Sequence, residues 1–164
     1  MGLDIVCNNI SARVGSYSSV HVLRYNLLIA IKKYLENMIK NYKAEIPNGQ
    51  EFEDEETTNK MADLIIAEPL VEYLNELTEN NQINYDAFNK EKNKHLGFFD
   101  LDGFMTFIEH SDCDGSYDDA NDFIKTYDLV KDYVDENYKN EDNTFYLYEV
   151  FNESAESGTN IYFC

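Results

Sequence analysis

Cysteine is scarce in this chain of 164 residues, and its scarcity excludes a disulfide-stabilised secreted scaffold. The three cysteines, Cys7, Cys113 and Cys164, are odd in number and far apart, as is typical of reduced thiols in an intracellular compartment. The sequence also lacks an apolar run of about 18 residues, and it does not open with a basic segment followed by a short apolar stretch. We therefore expect a cytoplasmic protein without a membrane span or a secretory signal.

Basic residues are also few, with 13 lysines and arginines against 32 acidic residues and a net charge of −19. Residues 1 to 43 hold 6 basic and 2 acidic residues, whereas residues 96 to 164 hold 3 and 17. A strong negative field repels phosphate backbones, so direct nucleic-acid binding is not expected. The same field attracts a basic protein surface, such as the groove of a nucleic-acid-binding enzyme. The alternative is that the acidic residues only keep the fold soluble.

The acidic residues around one predicted helix form the candidate interaction surface. They precede, interrupt and follow the apolar stripe between residues 120 and 134. The surface consists of Asp118, Asp119, Asp122, Asp128, Asp132, Asp135 and Glu136.

The length and the 43% hydrophobic content predict one α+β domain over residues 1 to 164. Residues 1 to 7 (MGLDIVC) and 161 to 164 have the pattern of short strands. Residues 144 to 151 (TFYLYEVF) are β-branched and aromatic with alternation, which predicts a third strand. We therefore expect a mostly helical domain with a small antiparallel sheet formed by the N- and C-terminal strands.

Helical spacing dominates the first half of the chain. A long amphipathic helix is predicted after the serines at 16, 18 and 19, ending before Pro47. An acidic loop is expected at about residues 44 to 57. Thr57 or Thr58 can cap a second helix, which Pro69 should kink or restart.

Three further helices are predicted in the second half. A polar helix at residues 85 to 96 should end at Gly97, after a linker at 78 to 84. Asp100 can cap a short helix over residues 101 to 108, for which a strand is the weaker alternative. Ser116 can cap the next helix, whose core stripe begins at Ala120. The segment between the last two would then be a tight helix-to-helix connection.

That connection holds the motif with the strongest chemical character, residues 110 to 115 (HSDCDG). His110, Asp112 and Asp114 can supply one nitrogen and two carboxylate ligands, which favours manganese or zinc over calcium. Accessory candidates are Asp4, His21 and Cys113. An EF-hand loop does not fit, because its first ligand position would fall on Phe98 or its last on Asn121.

A structural role for the same motif is the alternative. Aspartates just before a helix can cap its amide groups and favour its dipole, and Gly115 can supply the conformation of the turn. His110 would then pack or bond a carbonyl, and Cys113 would be a core residue. A second weak candidate is the segment Gly15 to Ser19 (GSYSS), which could cradle a phosphate with His21 and Arg24, or could simply cap a helix.

Two resemblances bear on the motif. The pattern of His110, Asp112, Asp114 and Gly115 resembles the first motif of the DHH phosphoesterases, which implies aspartates that bind manganese and activate water against a phosphodiester. The chain has no Asp-His-His triplet, and the likeness covers six residues.

Over most of its length, the chain is similar to a set of small proteins from phages, bacteria and large DNA viruses. Those proteins open with MGLDI and carry HSDCDG before a C-terminal helix. The resemblance implies that Asp4 and the motif belong to one structural unit, with Tyr17 and His21 near it, and it implies no activity. We therefore expect a non-enzymatic acidic protein, of the phage or viral inhibitor kind, with a metal-binding protein or metal-dependent phosphoesterase as the alternative.

Overall fold

A computed structural model describes residues 3–46, 54–95, 97–110, 116–134 and 142–164. The described part is an α+β fold, mostly helical, with a small antiparallel sheet that joins the two ends of the chain. The predicted fold class is therefore confirmed. Its elements are strands β1 (Leu3–Cys7), β2 (Ile10–Gly15), β3 (Ser116–Tyr117) and β4 (Ile161–Phe163), and helices α1 (Tyr17–Glu45), α2 (Glu55–Leu77), α3 (Tyr85–His95), α4 (Asp102–Glu109), α5 (Ala120–Val130) and α6 (Asp142–Ser157).

The described strands form one sheet in the order β2-β1-β4-β3. The Asp4 and Cys164 amides each donate to the other residue's carbonyl, at 2.8 and 2.9 Å, and so join the chain ends. The predicted terminal strands are confirmed. Strand β2, which was not predicted, pairs with β1 after a tight turn in which Asn8 has a φ of 52°. Asparagine tolerates this left-handed conformation, so the turn is chemically reasonable.

Helix α1 confirms the long amphipathic helix. The Ser16 hydroxyl accepts a hydrogen bond from the Ser19 amide at 3.3 Å and so caps its first turn. Side chains spaced three and four apart are buried along one face and pack against the rest of the core. They include Val20, Leu23, Leu27, Leu28, Ile31 and Leu35.

Helix α2 corrects two predictions. It begins at Glu55, capped by Asp54 rather than by Thr57 or Thr58, so the predicted acidic loop is shorter than residues 44 to 57. The Thr57 amide donates to the Asp54 carboxylate at 2.5 Å and lowers its pKa. The helix also continues through Pro69 without a restart. Because proline has no amide hydrogen, the Ile65 carbonyl loses its helical donor. Pro69 is exposed and Ile65 is 71% exposed, so water can hydrate this carbonyl.

Helix α3 confirms the predicted polar helix, which ends before Gly97 with its φ of 87°. The predicted linker before it contains a short 3-10 turn at Glu79–Asn81. The Asn84 side chain then accepts a hydrogen bond from the Ala87 amide at 3.1 Å, which caps the start of α3.

Helices α4 and α5 pack closely, and their starts differ from the prediction. Asp100 does not cap α4, because it has a φ of 55° and lies before the helix, which begins at Asp102. Ser116 lies in strand β3, and α5 begins only at Ala120. A Cβ on Gly103 would lie 2.2 Å from the Asp122 carbonyl oxygen, so only glycine permits this helix contact.

Helix α6 replaces the strand predicted at residues 144 to 151. Leu147, Val150, Phe151 and Ser154 are buried at the i, i+3, i+4, i+7 spacing of one helix face. That face packs against α5 and the inner side of β1 and β2. The prediction was wrong because β-branched and aromatic residues follow the packing that surrounds them more than an intrinsic preference.

Apart from Leu64 and Ala67 of α2, the buried apolar residues of the described chain form one core cluster that includes residues from both the sheet and the helices. Its centre is aromatic, with the Phe123 and Phe151 ring centroids 3.9 Å apart and Phe107 edge-on to both. No helix in the described ranges is both long and apolar enough to cross a membrane.

Candidate functional site

The motif at residues 110 to 115 begins where α4 ends and leads into β3. His110 follows the last residue of α4, and its amide donates to the Thr106 carbonyl at 3.1 Å. Asp112, Cys113 and Asp114 lie outside the described residues, so the proposed ligand set stays a prediction. The predicted helix-to-helix connection is wrong, because β3 separates the motif from α5.

The His110 imidazole is held by the sheet. Its ring stacks on Phe163 with centroids 4.3 Å apart, and Tyr117 lies edge-on to it at 5.7 Å. Its Nε2 lies 3.0 Å from the Ser116 carbonyl oxygen. A carbonyl only accepts, so Nε2 donates this hydrogen bond. The contacts fix the orientation of the His110 ring.

Arg24 is the residue at this site whose role the sequence did not reveal. It lies in the apolar stripe of α1 and is only 2% exposed. Its Nη2 donates to the His110 carbonyl at 2.8 Å, and its guanidinium lies 5.0 Å from the centre of the Phe107 ring. The sequence does contain one indication of this role, because Arg24 occupies a position at which the helical spacing of α1 predicts a buried side chain. Arg24 therefore supports the start of the motif from within the core, not a phosphate site at the start of α1.

The segment from Gly15 to Ser19 acts as a helix start. The Ser16 hydroxyl caps α1 and lies 2.7 Å from the Ser18 hydroxyl and 3.0 Å from that of Ser19. The Ser16 hydroxyl thus already accepts from the Ser19 amide, one of the amides that a phosphate would use. The described structure therefore supports capping at this segment.

Two accessory residues, Asp4 and His21, lie apart from His110. Asp4 is opposite Cys164 on the outer face of the sheet and lies 4.0 Å from the Arg13 guanidinium. His110 stacks on Phe163, which points to the buried face, so the sheet separates Asp4 from His110. The His21 Nδ1 instead lies 2.9 Å from the Tyr85 hydroxyl of α3. Among the described residues, no three His, Cys, Asp or Glu side chains are grouped to hold a metal.

The predicted acidic surface lies around α5, and within the described part of the chain it comprises Asp118, Asp119, Asp122, Asp128 and Asp132. All but Asp119 are exposed. Partial burial raises the pKa of Asp119, and repulsion from Asp118 and Asp122 raises it further. The carboxylates are thus close enough to oppose one another's ionisation. Asp135 and Glu136, the remaining predicted members, lie outside the described residues.

A pair of tyrosines extends the acidic surface onto α6. The rings of Tyr127 and Tyr148 lie 5.0 Å apart across the contact between α5 and α6. Burial raises the pKa of both phenols, and Asp128 contributes to each shift. Glu156 of α6 also acts on Tyr148, so carboxylates from two helices flank this aromatic pair. Spacing alone did not reveal the pair, because residues 144 to 151 were predicted as a strand.

The cations near this surface are few and one is already paired. Lys125 of α5 binds the Asp100 carboxylate at 2.8 Å. The pKa of Lys125 is raised by Asp100 first, and by Asp122 and Asp102 as well. Lys125 therefore sits among three carboxylates and offsets only part of their charge.

Comparison with known proteins adds no relative to this description. No protein-family model matches the chain, and no curated protein or solved structure matches it significantly.

Proposed function

We propose that this chain is a non-enzymatic interaction protein whose acidic surface around α5 binds a basic surface on a partner protein. The observation that carries the proposal is the crowding of exposed carboxylates around only two described lysines, Lys125 and Lys131, of which Lys125 already pairs with Asp100. A partner that brings lysine or arginine side chains to this surface relieves the repulsion among Asp118, Asp119 and Asp122. The half-buried pair of Tyr127 and Tyr148 supplies aromatic contact area beside the charges.

The partner class that best fits is an enzyme that binds nucleic acid. Such an enzyme has a groove lined with basic residues for a phosphate backbone, and a row of carboxylates can occupy the same groove. Binding there would compete with DNA or RNA and so inhibit the enzyme. An inhibitor encoded by a phage or a virus, as the sequence resemblance suggests, would act in the host cytoplasm.

A competition assay with a charge-reversed variant tests this proposal. Purified DNA- and RNA-binding enzymes, each loaded with a fluorescent oligonucleotide, are titrated with the protein while fluorescence anisotropy reports displacement. We expect displacement from at least one enzyme and its loss in the triple variant Asp118→Lys, Asp128→Lys, Asp132→Lys. Lysine at positions 128 and 132 lies near the C-terminal end of α5, where the helix dipole favours a cation, so the fold should tolerate the change.

The matched control reverses three exposed glutamates that lie outside the acidic surface around α5. Glu36→Lys, Glu72→Lys and Glu76→Lys lie on α1 and α2 and change the net charge equally. The proposal requires this control to displace the oligonucleotide as the unmodified protein does. Equal loss in both variants would show that net charge alone matters, and displacement by neither protein from any enzyme would contradict the proposal.

A divalent-metal site centred on His110, Asp112 and Asp114 is the second candidate. The observation that favours it is the hydrogen bond from Nε2 of His110 to the Ser116 carbonyl. Metal-binding histidines commonly donate their second ring proton to a carbonyl or carboxylate, which fixes the other nitrogen for the metal. A metal held there would support metal-dependent phosphodiester hydrolysis, with manganese or zinc as the preferred ion.

Thermal unfolding of chelator-treated protein with added manganese, zinc, magnesium or calcium tests the metal candidate. A metal at about 100 times its dissociation constant should add roughly 2.7 kcal/mol to the free energy of unfolding. We expect one metal to raise the melting temperature and Asp112→Asn with Asp114→Asn to abolish that rise. If the variants unfold at a lower temperature and no metal has an effect, the motif has a structural role.

A further inference from the structure

An open groove lies between the N-terminal half of α1 and the connection from α2 to α3. Its volume is about 600 Å³, within the range of small-molecule sites. The polar groups that line it come from Ser18, His21, Tyr25, Asn26, Asn81, Gln82 and Tyr85. The sequence singled out Ser18 and His21 only as part of a phosphate candidate, and it did not predict the second wall, which is about 60 residues away in the chain.

Apart from His21, the described residues of the lining carry no ionisable acid or base that is charged at neutral pH, in a chain with 32 acidic residues. None of the described residues that line it is Asp, Glu, Lys or Arg. The described lining offers no carboxylate to a cation and no lysine or arginine to a phosphate. Its chemistry therefore favours a neutral ligand, unlike the chemistry of the acidic surface.

The polar groups of the groove are positioned by contacts across it. The His21 Nδ1 and the Tyr85 hydroxyl are 2.9 Å apart, and the Tyr25 hydroxyl donates to Asn81 Oδ1 at 3.4 Å. Asn81 has a φ of 57°, a left-handed conformation that asparagine tolerates. The backbone amide of Asn84 donates to the Leu77 carbonyl at 2.8 Å and closes the loop between α2 and α3. The two walls are thus connected before any ligand binds, which lowers the entropy cost of binding.

From this geometry, we propose that the groove binds a neutral saccharide. Hydroxyl and carboxamide groups each both donate and accept hydrogen bonds, as sugar hydroxyls do. The rings of Tyr25 and Tyr85, with Val22 and Ile83 beside them, offer apolar surface to the C–H face of a sugar ring. An open groove also suits a sugar that is part of a longer glycan, whose ends extend into solvent.

Ligand-observed NMR and calorimetry with the full chain test the proposal. The probes are neutral mono- and disaccharides of glucose, mannose, galactose and N-acetylglucosamine. Adenosine and uridine serve as neutral comparison ligands, because each adds an aromatic base to a ribose. We expect at least one saccharide to bind saturably at millimolar concentration. Tyr25→Phe combined with Gln82→Ala should weaken that binding roughly tenfold, because it removes two hydrogen-bonding groups and leaves the Tyr25 ring in place.

The matched control removes the same groups elsewhere. Tyr162→Phe with Asn121→Ala also deletes one hydroxyl and one carboxamide, at exposed positions on β4 and α5, and it should leave saccharide affinity unchanged. Three results would overturn the proposal: no saccharide binds, the groove variant binds as tightly as the control, or a nucleoside binds more tightly than every sugar.

Discussion

At the scale of single residues, the structure gives Arg24 a role different from the one that the sequence predicted. Beside Ser16 and His21, it was a candidate for phosphate binding. In the structure it is buried, donates to the His110 carbonyl and lies over Phe107. A buried arginine that loses its contacts leaves polar groups without partners, so the contribution of Arg24 to stability should be large.

We predict that Arg24→Met lowers the free energy of unfolding by about 2 to 4 kcal/mol, measured by urea denaturation. Methionine fills a similar volume but donates no hydrogen bond to the His110 carbonyl. Arg24→Lys should recover only part of the loss, because an ammonium lacks the planar fork of the guanidinium.

Arg13→Met is the control for this prediction. The Arg13 side chain is 70% exposed and lies 4.0 Å from Asp4, so its removal should change stability by less than about 0.5 kcal/mol. Equal stability of the Arg13 and Arg24 variants would show that the buried contacts contribute nothing.

At the scale of elements, the sequence correctly predicted the helices and strands that have one clear hydrophobic period. It failed for the elements whose structure depends on packing against the rest of the core. The long stripe of α1 and the terminal strands were predictable, because each has one clear period. The sequence of residues 144 to 151 satisfies an alternating pattern and a helical one, and the burial of Leu147, Val150 and Phe151 against α5 and the sheet selects the helix. Helix α2 shows the same effect, since packing of Leu64, Leu70 and Leu74 on either side of Pro69 maintains a helix that proline alone would interrupt.

We predict that Pro69→Ala stabilises the protein by about 1 to 2 kcal/mol in urea denaturation. Alanine restores an amide that can donate to the Ile65 carbonyl, and this gain exceeds the loss of proline's restriction on the unfolded chain. Glu72→Ala, an exposed change on the same helix, should alter stability by less than about 0.5 kcal/mol. A destabilising effect of Pro69→Ala would mean that proline is favoured at this position.

The candidate site was predictable only in part. Composition and helical periodicity together placed Asp118, Asp122 and Asp128 around α5, where the structure has them exposed. Neither the tyrosine pair nor the neutral groove could be predicted, because each joins residues that are distant in the chain. The separation of Asp4 from His110 by the sheet likewise depends on strand pairing, which the terminal sequences alone do not specify.

At the scale of the whole molecule, basic residues predominate at the start of the chain and acidic residues in its second half. The basic residues of the first 43 positions lie largely on α1, where Lys43 pairs with Glu68 and Glu45 with Lys60 at 2.6 Å. Around α5, the carboxylates outnumber the described cations, and Asp119 has a raised pKa. A strongly asymmetric charge distribution of this kind affects association more than folding.

The most direct test of the account is the ionic-strength dependence of direct binding, measured by calorimetry without oligonucleotide, between the protein and an enzyme from which it displaces the oligonucleotide. Because exposed charges are screened within about 10 Å at 0.1 M salt, binding through the acidic surface should weaken steeply between roughly 50 and 200 mM salt. The Asp118, Asp128 and Asp132 reversal should flatten that dependence, and the Glu36, Glu72 and Glu76 reversal should preserve it. Binding that is independent of salt, or equally strong and equally salt-dependent in both variants, would contradict the claim that this surface binds a basic partner.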